Sequence, residues 1–214
     1  MTTYNQALSD YVQETFAVED ETLHWIRQEC AAQELPSIMI NPEEGAFLRF
    51  MVAAARARRV VEIGTLGGYS GTWIARGLPA TGQLITLEAD PHHAEVARRS
   101  FERAGLSSQV RLLEGDAAGM LPTLVEDGPF DFVFIDADKA GYPAYLDWAL
   151  ENLRAGGIVA AHNAFGFGGK VVDPDSDEES VQVIRRFNQR LADEERVAAT
   201  IFPAGDGIAI AVLL

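Results

Sequence analysis

The sequence predicts an α/β fold: a seven-stranded, mostly parallel sheet with a C-terminal antiparallel hairpin and N-terminal helices. Three observations carry that reading. From Arg59 onward, short apolar runs rich in β-branched residues alternate with helical stretches, the pattern of parallel strands joined by crossover helices. The first run, Arg59–Ile63, passes into a glycine turn, Gly64-Thr65-Leu66-Gly67-Gly68, which opens a helix at Tyr69. The last two runs, Ala198–Phe202 and Ile208–Leu213, are joined by Pro203-Ala204-Gly205-Asp206-Gly207, a turn that suits a hairpin.

Taken in order, residues 1–58 read as a helical segment and 59–214 as the sheet core of one domain. Leu8, Tyr11 and Val12, then Leu23, Ile26 and Cys30, then Phe47, Leu48, Met51 and Val52 recur at helical spacing. Asn41-Pro42-Glu43-Glu44 reads as an N-cap with proline at the first helical position. The strands after Arg59–Ile63 are Leu84–Leu87, Val110–Leu113, Phe132–Ile135 and Ile158–Ala161. Helices start near Tyr69, Pro91, Ala117 and Tyr142. Asp173–Glu179 is an acidic loop and Val181–Leu191 a further helix. Trp73, Trp148 and Phe187 read as core, and His24, His92 and His93 as surface residues.

Composition narrows the partners. The 214 residues are 48% hydrophobic and 23% charged, which is ordinary for a globular chain. The net charge of −15 disfavours nucleic acid and anionic membranes. A single cysteine, Cys30, excludes an intrachain disulfide and suits a reducing compartment. Met1-Thr2-Thr3-Tyr4-Asn5 shows no secretory signal, and no apolar run approaches membrane-spanning length. The expectation is a cytoplasmic protein.

The glycine turn selects a cofactor. Glu62 to Gly68 reads E-x-G-x-x-G-G and lacks the second glycine that admits a pyrophosphate in G-x-G-x-x-G. An acidic residue before the turn repels phosphate and suits a cationic ligand with an amino group. That favours S-adenosylmethionine (SAM) over NAD. In an open parallel sheet the ligand sits beyond the carboxyl ends of the strands. Glu88, ending the second strand, can accept both ribose hydroxyls, while Asp90 before Pro91 suits a helix cap. Asp116 can take the adenine amino group and Ala117 a ring nitrogen; Asp116 also fits a cap. Glu62 is expected to face the cationic methionine end. Ser70, at a helix N-terminus, is expected to bind the methionine carboxylate.

The remaining motifs are F-I-D-A-D-K-x-x-Y (Phe134 to Tyr142), L-R-x-G-G (Leu153 to Gly157), G-G-K-V (Gly168 to Val171), I-R-x-F-N (Ile184 to Asn188) and P-x-G-D-G-I (Pro203 to Ile208). With E-I-G-T-x-x-G-Y-S at Glu62 to Ser70, they make the chain resemble the cation-dependent small-molecule O-methyltransferases, the catechol and caffeoyl-CoA O-methyltransferase family. The resemblance runs from about Met39 to the C-terminus and implies the Rossmann-like fold of SAM methyltransferases. It also implies cofactor contacts from Ile40, Gly64, Thr65, Gly68, Asp136 and Asp138, and a catalytic base at Lys139. A divalent metal, commonly magnesium, would be held by Asp136, by the residue at position 162 and by Asn163. Here the family's middle aspartate is His162. Three roles are open to it: ligand to a softer ion such as manganese, iron, cobalt or zinc, general base, or a structural residue. Phe165 and Phe167, after Asn163, are candidates for stacking on an aromatic acceptor.

The function expected is SAM-dependent methyl transfer to a hydroxyl of a small phenolic or catechol-like molecule, assisted by a divalent metal, in a homodimer. Methylation of a hydroxylated tRNA base and SAM binding without catalysis are the alternatives, and a nicotinamide oxidoreductase is a more distant one.

Overall fold

Strand residues of one parity feed one face of a sheet and those of the other parity feed the opposite face. The computed structural model describes residues 3–214; Met1 and Thr2, which begin the stretch without a secretory signal, lie outside them. Seven strands, β1 (Arg59–Ile63), β2 (Gln83–Glu88), β3 (Val110–Glu114), β4 (Phe130–Ile135), β5 (Leu153–Ala161), β6 (Val197–Phe202) and β7 (Ile208–Leu213), form one sheet in the order β3-β2-β1-β4-β5-β7-β6. The first five are parallel, and β7 runs antiparallel to both β5 and β6.

Helices α2 (Glu21–Ala32), α3 (Pro42–Ala54), α4 (Tyr69–Ala75) and α5 (Pro91–Arg103) are numbered after α1 (Gln6–Thr15) and cover one face. Their Leu23, Ile26, Leu48, Trp73 and Phe101 pack on Val60, Phe132 and Phe134 of the sheet. The other face carries α6 (Ala117–Met120), α7 (Tyr142–Asn152) and α8 (Glu179–Asp193), whose Tyr142, Leu146, Phe187 and Leu191 cover Val61, Ile63, Val133 and Ile135. Trp73 and Phe187 are buried, and Trp148 packs half-buried against the second core.

Strands β2 and β6 start one residue before their apolar runs, and β4 and β5 start earlier still. β4 begins at Phe130 and β5 at Leu153, because Phe130 pairs with Leu153 across a register shift that the polar Arg154-Ala155-Gly156-Gly157 stretch absorbs. Helix α8 likewise extends past both ends of its apolar stripe into charged turns. Helix α3 starts as expected, with Pro42 in its first turn and the Asn41 N–H donating to Glu44 at 2.8 Å. No helix among the described residues is long and apolar enough to cross a membrane.

The chain leaves β1 toward β2 and β3, then returns to place β4 on β1's other side. This reversal opens a crevice at the carboxyl ends of β1 and β4. There Asp136 donates its N–H to the Ile63 carbonyl at 2.8 Å. Gly64 has φ +95°, and a Cβ on it would lie 2.0 Å from the Asp136 carbonyl oxygen. Only glycine satisfies both the backbone and the contact.

Candidate active site

A cavity of about 860 Å³ fills the crevice, a size that suits a cofactor with a small acceptor. At one end the β2 terminus presents Glu88. Its Oε2 accepts the N–H groups of Thr65 (3.1 Å) and Leu66 (2.7 Å), and its Oε1 accepts that of Asp90 (3.0 Å). Three backbone donors thus fix the carboxylate where it borders the cavity. Asp90 caps α5 through the His92 and His93 N–H groups. Asp116 caps α6 through the Gly119 N–H at 3.1 Å and also lines the cavity beside Ala117. Ile40, Gly64, Thr65 and Ser70 also line it.

Glu62 and Gly68 do not reach the cavity. Glu62 is completely buried and accepts hydrogen bonds from Ser70 Oγ (2.6 Å) and Thr86 Oγ1 (2.7 Å). Burial raises its pKa to about 7. It therefore orients Ser70 from behind instead of facing a ligand. Gly68 is the left-handed N-cap of α4, and a Cβ on it would lie 3.1 Å from the Phe101 ring. His93 departs from its reading in the other direction: it is half-buried at the cavity wall, with Nδ1 3.6 Å from Glu88 Oε1. His24 and His92 are exposed as expected.

The wall beyond β4 and β5 carries Asp136, Asp138, Lys139 and His162. Asp138 accepts from the Gly141 N–H (2.7 Å) and from the Tyr145 hydroxyl (2.6 Å), which holds its carboxylate at the wall. Lys139 is not a solvated loop lysine, since its side chain is 13% exposed. Its Nζ donates to Tyr142 Oη (2.7 Å) and the Ala137 carbonyl (3.0 Å) and lies 3.4 Å from Asp136 Oδ1. Burial lowers the lysine pKa, and the Asp136 carboxylate opposes that shift. Phe167 lines the cavity, whereas Phe165 turns away and packs on Gly207. The acidic loop from Asp173 onward stays off the wall.

His162 is buried between two carboxylates. Its Nε2 lies 3.1 Å from Glu44 Oε1, and its Nδ1 lies 3.2 Å from Asp136 Oδ2. The Nδ1 contact is close enough for an ion pair but out of hydrogen-bond alignment, so this buried nitrogen has no aligned partner. Burial pulls the imidazole pKa down, but the Asp136 and Glu44 carboxylates outweigh it and raise it to about 10. The two carboxylates thus favour the protonated ring, a form that has no free nitrogen to accept a proton.

The same geometry bears on the metal. Among the described residues no group of three His, Cys, Asp or Glu side chains is arranged to hold an ion. The set implied by the resemblance has only two of those types, Asp136 and His162, with the Asn163 amide as the third donor. Imidazole in place of a carboxylate makes a poor magnesium site. It suits manganese, cobalt or zinc, and the Glu44 carboxylate behind Nε2 is the kind of outer partner that orients a metal-binding imidazole. The unpartnered Nδ1 beside Asp136 fits that set. An ion there must displace the Nδ1 proton.

Sequence reasoning gave no site role to Glu44, read only as a helix start, or to Asp206, read as part of a turn and of the P-x-G-D-G-I motif. Both line the cavity, and Asp206 accepts a hydrogen bond from Asn163 Nδ2 at 2.9 Å. Nothing in their local sequence marks them, because their partners lie on distant segments.

A sequence model of the O-methyltransferase family matches residues 13–213. A catechol O-methyltransferase from Niastella koreensis is 42% identical, with 97% of each chain covered. A catechol O-methyltransferase from Mycobacterium tuberculosis is 38% identical over 95% of this chain and 93% of its own. The crystal structure of an O-methyltransferase from Bacillus cereus in complex with SAH superposes with a TM-score of 0.89 at 41% identity, covering 97% of both chains. Fold and sequence agree: the chain belongs to the O-methyltransferase family.

Proposed function

We propose that this protein transfers the methyl group of SAM to a hydroxyl of a small phenolic, catechol-like acceptor. The observation that carries the reading is Lys139 Nζ, buried at the far end of the cavity from Glu88 and hydrogen-bonded to Tyr142 at 2.7 Å. Relatives named catechol O-methyltransferase and a neighbour in complex with SAH support the acceptor class and the cofactor.

In this reading Glu88 accepts the ribose hydroxyls, Asp116 and Ala117 hold the adenine, and Ser70, steadied by Glu62, takes the methionine carboxylate. The sulfonium is already a good leaving group, so the protein's task is to position and deprotonate the acceptor. Lys139, whose burial eases the loss of its own proton, takes the hydroxyl proton once deprotonated. The freed oxygen lone pair forms the bond to the methyl carbon as the carbon–sulfur bond breaks, and its electrons neutralise the sulfonium to give SAH. Asp136, His162 and Asn163 would hold a divalent ion, which when bound lowers the pKa of the acceptor hydroxyl. We further propose a cytoplasmic homodimer. The buried free Cys30 and the exposed Tyr11, Phe16, Val18 and Phe50 on the helical segment support it, and light scattering showing only monomer at micromolar concentration contradicts it.

The test is mass spectrometry of a catechol panel incubated with SAM carrying a deuterated methyl group. Label in a methyl ether of a catechol is the expected result. SAM binding with no labelled ether from any catechol, phenol or tRNA would point to a non-catalytic SAM-binding protein, and label in tRNA alone would move the acceptor to nucleic acid.

A further inference from the structure

The P-x-G-D-G motif is more than a hairpin turn. Between β6 and β7 it reaches three parts of the site at once. A Cβ on Gly205, where φ is +58°, would lie 2.3–2.5 Å from the Glu44 carboxyl, so this turn packs directly on the partner of His162. A Cβ on Gly207, where φ is +78°, would lie 3.0 Å from the Phe165 ring. Between these glycines, Asp206 gathers the segment that follows β5. Its carboxylate accepts the Asn163 side-chain amide (2.9 Å), the Phe167 N–H (2.8 Å) and the Gly168 N–H (2.7 Å). Backbone bonds from Phe165 N–H to the Asp206 carbonyl (2.8 Å) and from Ala164 N–H to the Gly207 carbonyl (3.0 Å) complete the clasp.

The segment needs such a clasp. Asn163 and Phe167 have φ of 61° and 60°, in the left-handed region that non-glycine residues enter rarely, a bulky aromatic least of all. Hydrogen bonds donated to a carboxylate are strong enough to offset that strain. The result is that Phe167, 41% exposed, stands at the cavity wall with its ring 6.0 Å from Lys139 Nζ. An aromatic face at that distance from the proton acceptor can stack on a planar hydroxylated ring.

We propose that Asp206 is a positioning residue for the methyl acceptor: it holds Phe167 as the wall against which an aromatic acceptor lies and keeps Asn163 turned to the reaction end. The proposal rests on the phenolic-acceptor reading above. It separates the two ends of the cavity, since Asp206 touches none of the groups assigned to the cofactor.

The experiment compares the wild type with Asp206→Ala, Asp206→Asn and Phe167→Leu, each checked for folding by circular dichroism. Hydrogen exchange of the 163–169 segment is measured without substrate, and acceptor KM and SAM affinity are measured with catechol. In Asp206→Ala, exchange at Phe167 and Gly168 should speed up by at least about tenfold. Acceptor KM should rise by at least about tenfold while SAM affinity stays within about twofold. Asp206→Asn, which keeps one acceptor oxygen, should fall between. Phe167→Leu should raise acceptor KM without loosening the segment. Unchanged exchange in Asp206→Ala overturns the clasp, and unchanged acceptor KM in a loosened segment overturns its role with acceptor. A matching loss of SAM affinity would reassign the turn to the cofactor. If the wild type methylates no phenol, the acceptor reading fails, and the exchange measurement alone decides whether Asp206 holds the segment.

Discussion

His162 Nε2 sits 3.1 Å from Glu44 Oε1 across a sequence separation of 118 residues, and this contact ties the first turn of α3 to the end of β5. Glu44 serves two partners there, since its other oxygen accepts the Asn41 N–H. Removing the carboxylate leaves the buried His162 ring with Asp136 as its one counter-charge and the Asn41 N–H without its acceptor. Glu44→Ala should therefore lower stability by about 3 kcal/mol, the usual cost of breaking one side of a buried ion pair. Urea denaturation at neutral pH measures it, and a loss below about 1 kcal/mol would mean that the ring is neutral in the folded protein.

The sheet was legible because its information is local. β-branched runs, Gly64 and the Pro203–Gly207 turn each specify their own backbone, and the alternation of strands with crossover helices implies parallel pairing. Strand ends were less legible where Arg154 to Gly157 interrupt the apolar pattern of β5. The site was half legible. Residues at strand ends, such as Glu88, Asp116, Asp136 and Lys139, are placed by topology alone. The direction of a buried side chain is not, so Glu62 was assigned to a ligand although Ser70 and Thr86 occupy its oxygens. Glu44 and Asp206 act through contacts that no spacing rule encodes.

Glu62 makes stability depend on pH in a defined window. Its folded pKa, raised to about 7 by burial with Asp136 and Glu88 nearby, exceeds the ordinary value of 4.5. The folded state then binds the proton more tightly than the unfolded state. Its contribution is fully present below about pH 4.5 and is lost as pH rises through about 7. Glu62→Gln, which keeps the shape and removes the titration, should gain stability relative to wild type between pH 5 and 8, on the order of 3 kcal/mol. The Tm difference between the two ligand-free proteins across that range is the measurement, and a flat difference rules the shift out.

The cofactor end is tested by two substitutions of different kind. Gly64→Ala forces a Cβ to within 2.0 Å of the Asp136 carbonyl oxygen and should abolish SAM binding. Glu88→Ala removes the proposed ribose acceptor and strands the Thr65 and Leu66 N–H groups, so affinity should fall by about 1–3 kcal/mol. Calorimetry reads both. Undiminished affinity in a folded Gly64→Ala protein would remove SAM from this crevice.

The ion preference follows from the donor atoms. With an imidazole between Asp136 and Asn163, magnesium should activate the native protein poorly and manganese or cobalt well. His162→Asp presents three oxygen donors and should shift the preference toward magnesium. That carboxylate would also stand beside Glu44 without a counter-charge, so the variant should bind its ion more tightly but be less stable when the ion is removed. Binding is measured by calorimetry and by the visible absorption of bound cobalt, with catechol methylation under EDTA, magnesium and manganese run on both proteins. Cobalt absorption that differs between native protein and variant would establish the histidine as a ligand. Full native activity under EDTA with no ion bound would instead leave the protonated ring, held by Glu44 and Asp136, in the ion's place. Native preference for magnesium, unchanged in His162→Asp, would remove the histidine from the ligand set altogether.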